Sequence, residues 1–178
     1  MTSDVDPIEP DTKDWTWVLQ RPCPECGFDP SSVHHTEVAG RIRDDATAWV
    51  QRLTRSGAAQ RTRPDMWSVL EYGCHVRDVH RIFDSRVRLM LTETDPRFPN
   101  WDQDATAIAD GYASQDPAVV ATEVYDAATV VADTYDGVPE DAWSRRGLRS
   151  NGSEFTIATI ALYHLHDIIH HAHDVAEM

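Results

Sequence analysis

Apolar residues recur at helical spacing in four long stretches of the chain. Val38, Ile42, Ala46, Trp49, Val50 and Leu53 mark the inner face of a first helix, predicted from Ser31 or Ser32 to about Arg55. Val69, Leu70, Val76, Val79, Ile82, Phe83, Val87, Met90 and Leu91 mark a second, which runs to about Glu93. Its start is signalled by Ser68 and Glu71, three apart, as in a capping box. Asp116-Pro117 opens a third long helix that continues through Val124 and Val131 to Gly137, a C-cap glycine. The last helix is predicted from about Phe155 to Val175. Asp104 to about Ser114 has weaker helical character, and Pro139 to Trp143 suits a single turn. No stretch reads as a strand, and the segment from Arg145 to Glu154 is expected to be a loop. Four long helices without repeats predict an all-α, four-helix bundle, with connections long enough for a crossover.

The pattern fails at the N-terminus. Met1 to Lys13 is acidic and aperiodic, which predicts a loose tail. Trp15, Trp17 and Leu19 suit a short extended piece or a wrap against the body. Cys23-Pro24-Glu25-Cys26-Gly27 is a tight Pro/Gly turn. The expected organisation is therefore an N-terminal extension with a Cys-x-x-Cys turn over residues 1–30, followed by a bundle domain over residues 31–178.

Composition narrows the function classes. The chain has 178 residues with 30 Asp plus Glu against 16 Lys plus Arg, a formal charge of −14. Such an excess of acid repels phosphate backbones and anionic lipid surfaces, so neither nucleic acid nor membrane is expected as a partner. Three cysteines are too few for a disulfide scaffold, and a reducing cytoplasmic setting is the expectation.

The last helix is the most informative stretch. Five of the ten residues from His164 to His173 are histidines. At about 100° per residue, Leu162, Leu165, Ile169, Ala172 and Ala176 fall on one side with Ala161 and Ile168, the expected core face. His166, His170 and His173 form a strip along one edge of that face, and His164 and His171 lie on the other. His166 and His170, at i and i+4, can hold one divalent cation through imidazole nitrogens. His164 and His171 are expected to face solvent or to orient a ligand, and His173 is either a spare or such an orienting partner. A bundle site draws on facing helices, and His75 on the second helix is the candidate third ligand. Asp78 or Glu71 could orient an imidazole, although the capping box already accounts for Glu71. Three protein ligands leave a coordination position for water or substrate.

The Trp-Ser-x-x-Glu-x-x-x-His helix beginning at Trp67, the segment Phe98-Pro99-Asn100-Trp101-Asp102 and the closing His-x-x-x-His helix resemble the DinB/YfiT-like superfamily over about residues 35 to 176. That group includes mycothiol-dependent maleylpyruvate isomerase and bacillithiol transferases. The resemblance implies a four-helix bundle with one crossover. It also implies a zinc or nickel site at His75, His166 and His170, and chemistry that uses a low-molecular-weight thiol. The expected partners are then a small thiol, such as mycothiol, and a small-molecule electrophile. Thiolate attack on that electrophile would be the reaction, with Arg77 or Arg149 to hold a substrate carboxylate. The maleylpyruvate isomerase type carries a Glu among its ligands, where this alignment of motifs puts His166.

Other readings stay open. His166-Asp167-Ile168-Ile169-His170 is one step from the His-Glu-x-x-His protease motif, but Asp is a methylene shorter than Glu and no third ligand stands downstream. A non-enzymatic metal-binding or stress-response module, with homodimerisation as one arrangement, is the remaining class. Cys23-x-x-Cys26 resembles one knuckle of a zinc ribbon. Cys74 or the His34-His35 pair are awkward completions of it, so a turn with two packed thiols is the preferred reading.

Overall fold

The computed structural model describes residues 8, 10, 13–176 and 178. The predicted tail, Met1 to Lys13, lies mostly outside them. Five helices are formed: α1 (Val38–Leu53), α2 (Val69–Thr92), α3 (Gln103–Ala109), α4 (Pro117–Asp136) and α5 (Ile157–Asp174). Helices α1, α2, α4 and α5 make the bundle. Both α1 and α2 pack chiefly on α4 and α5, so these two consecutive helices stand at diagonal corners. That diagonal step is the crossover which the long connections permit. No helix among the described residues is long and apolar enough to cross a membrane.

The helix starts follow from their caps. Ser68 Oγ accepts from Glu71 N at 3.2 Å while Glu71 Oε2 accepts from Ser68 N at 2.8 Å, the reciprocal capping box. Arg61 adds an ion pair to the same carboxylate, so Glu71 is committed to the helix start. The Asp116 side chain caps α4 ahead of Pro117. Helix α1 begins later than its apolar pattern suggested. Asp29 and Pro30 set a short 3-10 turn, Val33 is extended, and His34 with Glu37 forms a fresh capping box just before Val38. Asp102 caps α3, whose short span and following 3-10 turn at Tyr112–Ser114 match the weakly helical stretch.

The expectation of no strand is corrected. Strands β1 (Arg97–Phe98), β2 (Arg146–Arg149) and β3 (Glu154–Thr156) form a small sheet. The segment read as a loop is a β2–β3 hairpin, and β1 joins it in parallel through Arg97↔Leu148 and Phe98↔Arg149. Two- to four-residue strands are too short to show period-2 alternation. Their effect is to pin the Phe98–Asp102 segment, which then runs over the end of the bundle.

Residues Thr16–Leu19 form a 3-10 turn that packs against α5, with Val18 fully buried. Cys23, Phe28 and Val33 join the core behind it. The extension is therefore a wrap on the last helix, one of the two alternatives its aromatic pattern offered.

Candidate metal centre

His75 lies in the second turn of α2, where the capping box fixes the helix start and so its rotation. The residue is fully buried. Its ring is stacked on Trp101, with centroids 5.2 Å apart and planes 8° apart. Trp67, just before the α2 cap, packs on another side at 5.6 Å. The Trp101 indole is held by its Nε1 donating to Thr106 at 2.8 Å.

Opposite His75, α5 presents Asp167 and His171. His75 Nε2 is 3.5 Å from Asp167 Oδ1, and His171 Nε2 is 3.6 Å from the same oxygen. One donor atom from each of the three residues falls within 4.8 Å of the others. Both nitrogens of His75 and the Asp167 Oδ1 are buried without a hydrogen-bond partner. Buried polar atoms left unpaired are costly, and one His75 nitrogen beside Asp167 Oδ1 and a His171 nitrogen marks a place where a cation fits. The His171 Nδ1 meets Asp174 Oδ2 at 2.9 Å, the outer contact that fixes a ligand imidazole.

Electrostatics agree with that arrangement. Burial pushes the His75 imidazole down, against the pull of Asp167, so its lone pair is available at neutral pH. Burial pushes the Asp167 carboxyl up, but His75, His171 and His164 together hold it well below the ordinary carboxylate range. The set thus offers two imidazoles and one carboxylate.

The expected trio of His75, His166 and His170 is not assembled. His166 and His170 are near each other, with ring centroids 5.2 Å apart, but they face the N-terminal extension. There they meet Cys23 and Cys26, and the four donor atoms lie within 4.8 Å of one another. The cause is helical geometry. Residues 167 and 171 share the i, i+4 spacing of residues 166 and 170 but sit about 100° further round α5. That rotation turns Asp167 and His171 toward α2, and His166 and His170 toward the extension. The sequence held the signal: Asp-x-x-x-His is as good a ligand pair as His-x-x-x-His, and the Cys-x-x-Cys turn lacked two partners.

In the second set, Cys23 Sγ is 3.7 Å from His170 Nδ1. His166 Nε2 is buried without a partner. Burial lowers His166 to about 4 and, opposed by its acidic neighbours, also lowers His170. The Cys26 thiol is pushed up to about 11, first by burial. The described cysteines are all free thiols.

The remaining histidines sort differently from expectation. His164 is fully buried, not solvent-facing, and is in neither donor set. It bridges Tyr135 Oη at 3.1 Å and His80 Nδ1 at 3.0 Å, a polar chain through the core. His173 is exposed. Asp78 does not orient His75; its carboxylate takes bonds from Arg77 and Tyr112. Arg77 is buried among Asp78, Gln115 and Glu123 and is not at a cavity mouth, whereas Arg149 is on the cavity wall.

That cavity has a volume of about 660 Å³. Asp167, His171, His166 and His170 line it together with Trp67, Trp101, Trp15, Tyr163 and Arg149, while His75 is fully buried beside Asp167. The cavity's size falls in the range of small-molecule sites.

These features define a class of protein: a crossed helical bundle with a candidate His-Asp-His donor set beside a cavity. The chain belongs to the DinB superfamily, whose family model matches residues 40–175. Its fold is similar to that of YfiT from Bacillus subtilis, described as a probable metal-dependent hydrolase with an unusual four-helix bundle topology. The two chains are 20% identical, with a TM-score of 0.65, over 78% of this chain and 81% of that one. Comparison with curated proteins finds no match.

Proposed function

We infer that the His75–Asp167–His171 set is the metal centre of an enzyme that activates a small thiol for attack on an electrophile. The observation that carries the reading is the donor set, two members of which, Asp167 and His171, line the cavity. Two neutral imidazoles and one carboxylate leave a divalent cation with a net positive charge. When bound, zinc or nickel there favours an anion, a thiolate or a hydroxide, at neutral pH. The carboxylate also removes a discrepancy. With Asp167 as a ligand in place of His166, the proposed set would carry an acidic ligand, as the maleylpyruvate isomerase type does.

The chain's own residues supply the rest. Asp174 holds the His171 ring, and Trp67 and Trp101 wall His75 from bulk water. Arg149 is steadied by Asn151 and Ser153 at the cavity wall, placed to pair with a substrate carboxylate. The aromatic sides suit the carbon skeleton of a small electrophile.

The second reading is hydrolysis, favoured by the fold likeness to YfiT. Incubation of metal-loaded protein with an electrophile panel, with and without mycothiol, bacillithiol or glutathione, separates the two. Metal-dependent loss of thiol and electrophile together supports transfer or isomerisation. Substrate loss without any thiol supports hydrolysis. No turnover in either arm overturns the enzymatic reading.

A further inference from the structure

We propose that Cys23, Cys26, His166 and His170 form a closed structural zinc site that clamps the N-terminal extension onto α5. The inference is independent of the chemistry assigned to the His75 set.

The separations admit a tetrahedral site. Arms of about 2.0 to 2.3 Å give a tetrahedron with edges of about 3.3 to 3.8 Å. The Cys23 Sγ to His170 Nδ1 separation of 3.7 Å is such an edge. Cys23 to Gly27 is folded as a metal knuckle: Gly27 N donates to Cys23 O at 2.9 Å, Cys23 N to Phe28 O at 2.8 Å, and Gly27 has φ +75. A positive φ there suits glycine, and the turn aims both thiols at one point.

The surroundings fit a closed site. His166 and Cys23 are buried, and the unpaired His166 Nε2 lies in the same pocket of space. Phe28 packs on His166, while Trp15 covers both imidazoles at 5.6 and 4.9 Å. His170 turns its other nitrogen to Glu25, Nε2 to Oε2 at 3.4 Å, the outer carboxylate that fixes a ligand ring. Four protein donors leave no open position, and thiolates select zinc over harder cations. Binding releases two thiol protons to solvent and forms two sulfur–zinc bonds. Two thiolates then cancel the zinc charge, which suits an apolar seat under Trp15 and Phe28, in contrast to the His-Asp-His set.

The consequence is architectural. Trp15 and Glu25 form part of the cavity wall. A zinc clamp on the extension therefore holds that wall beside the metal centre of the bundle.

The test is zinc K-edge X-ray absorption and metal analysis of the full-length protein purified under reducing conditions. A sulfur shell at about 2.3 Å with nitrogen at about 2.0–2.1 Å is expected. The Cys23→Ser/Cys26→Ser double variant is expected to lose that shell and its equivalent of zinc. Asp167→Ala is expected to keep both. Amide exchange over residues 13–30 should accelerate at least tenfold on chelation. Wild-type protein with zinc but no sulfur shell overturns the proposal, as does a Cys23–Cys26 disulfide found by mass. The wild-type spectrum decides the matter even where the double variant fails to fold.

Discussion

His166 and Asp167 are adjacent in the chain, yet they belong to different donor sets: one faces the cysteine turn of the extension and the other faces His75 on α2. One helix thus carries both donor sets, because a single residue step rotates a side chain by about 100°.

The two sets should therefore be separable by mutation. Asp167→Ala is expected to remove the cation of the His75 centre and abolish turnover, while leaving sulfur-bound zinc in place. His166→Ala should do the reverse to metal content, with turnover reduced less than by Asp167→Ala. Stoichiometry by elemental analysis beside a turnover assay checks both. Loss of turnover with His166→Ala but not with Asp167→Ala would return the centre to the His75, His166 and His170 trio.

The His171 ring depends on Asp174, whose Oδ2 is 2.9 Å from Nδ1. Outer carboxylates of this kind typically contribute about 10- to 100-fold in metal affinity. Asp174→Ala should weaken binding at the His75 centre by a factor in that range. Chelator competition reads the affinity. An unchanged constant would show that the ring is held by packing against Tyr72 and His75 alone.

The bundle itself was legible in the chain. Periodic apolar residues and capping signals at Ser68 and Asp116 located α2 and α4, because these features act within one helix. The register of α5 was not legible to the same degree. Its core face includes His164, which pairs with Tyr135 and His80, and a buried histidine looks like a surface one until its partners on other helices are known. Counting His164 as core rotates the inferred face and brings Asp167 and His171 toward α2. Strand β1 was not legible because Arg97–Phe98 gains its pairing from residues some fifty positions away, and the β2–β3 hairpin because its strands are too short to show alternation.

Gly147 in β2 has no room for a side chain. A Cβ there would lie 2.8 Å from Met90 Cγ and 2.8 Å from the Phe98 ring. Met90 and Phe98 are both buried, so neither can swing clear. Gly147→Ala should destabilise the fold by about 1–3 kcal/mol, the usual range for overpacking. Because Phe98 leads into Trp101, which stacks on His75, the variant should also bind metal less tightly. Thermal melting and a metal titration check the two effects; an unaltered melting temperature would mean that β2 shifts freely.

Asp45 on α1 gives the stability a pH dependence unrelated to either metal set. Its Oδ2 is buried without a partner. Burial raises its carboxyl to about 7, against the opposing pull of Arg52. The ordinary value is 3.8, so between the two the folded chain binds a proton that the unfolded chain releases. Stability from this group is fully present below about pH 4 and is lost as pH rises through about 7. Asp45→Asn keeps the shape and cannot ionise. At pH 8 it should therefore be more stable than the wild type by about 1–2 kcal/mol, discounted for the partly accessible side chain. Near pH 4 the difference should vanish. Denaturant unfolding of both proteins at pH 4, 6 and 8 measures this, and a pH-independent difference would show that Asp45 stays ionised in the fold.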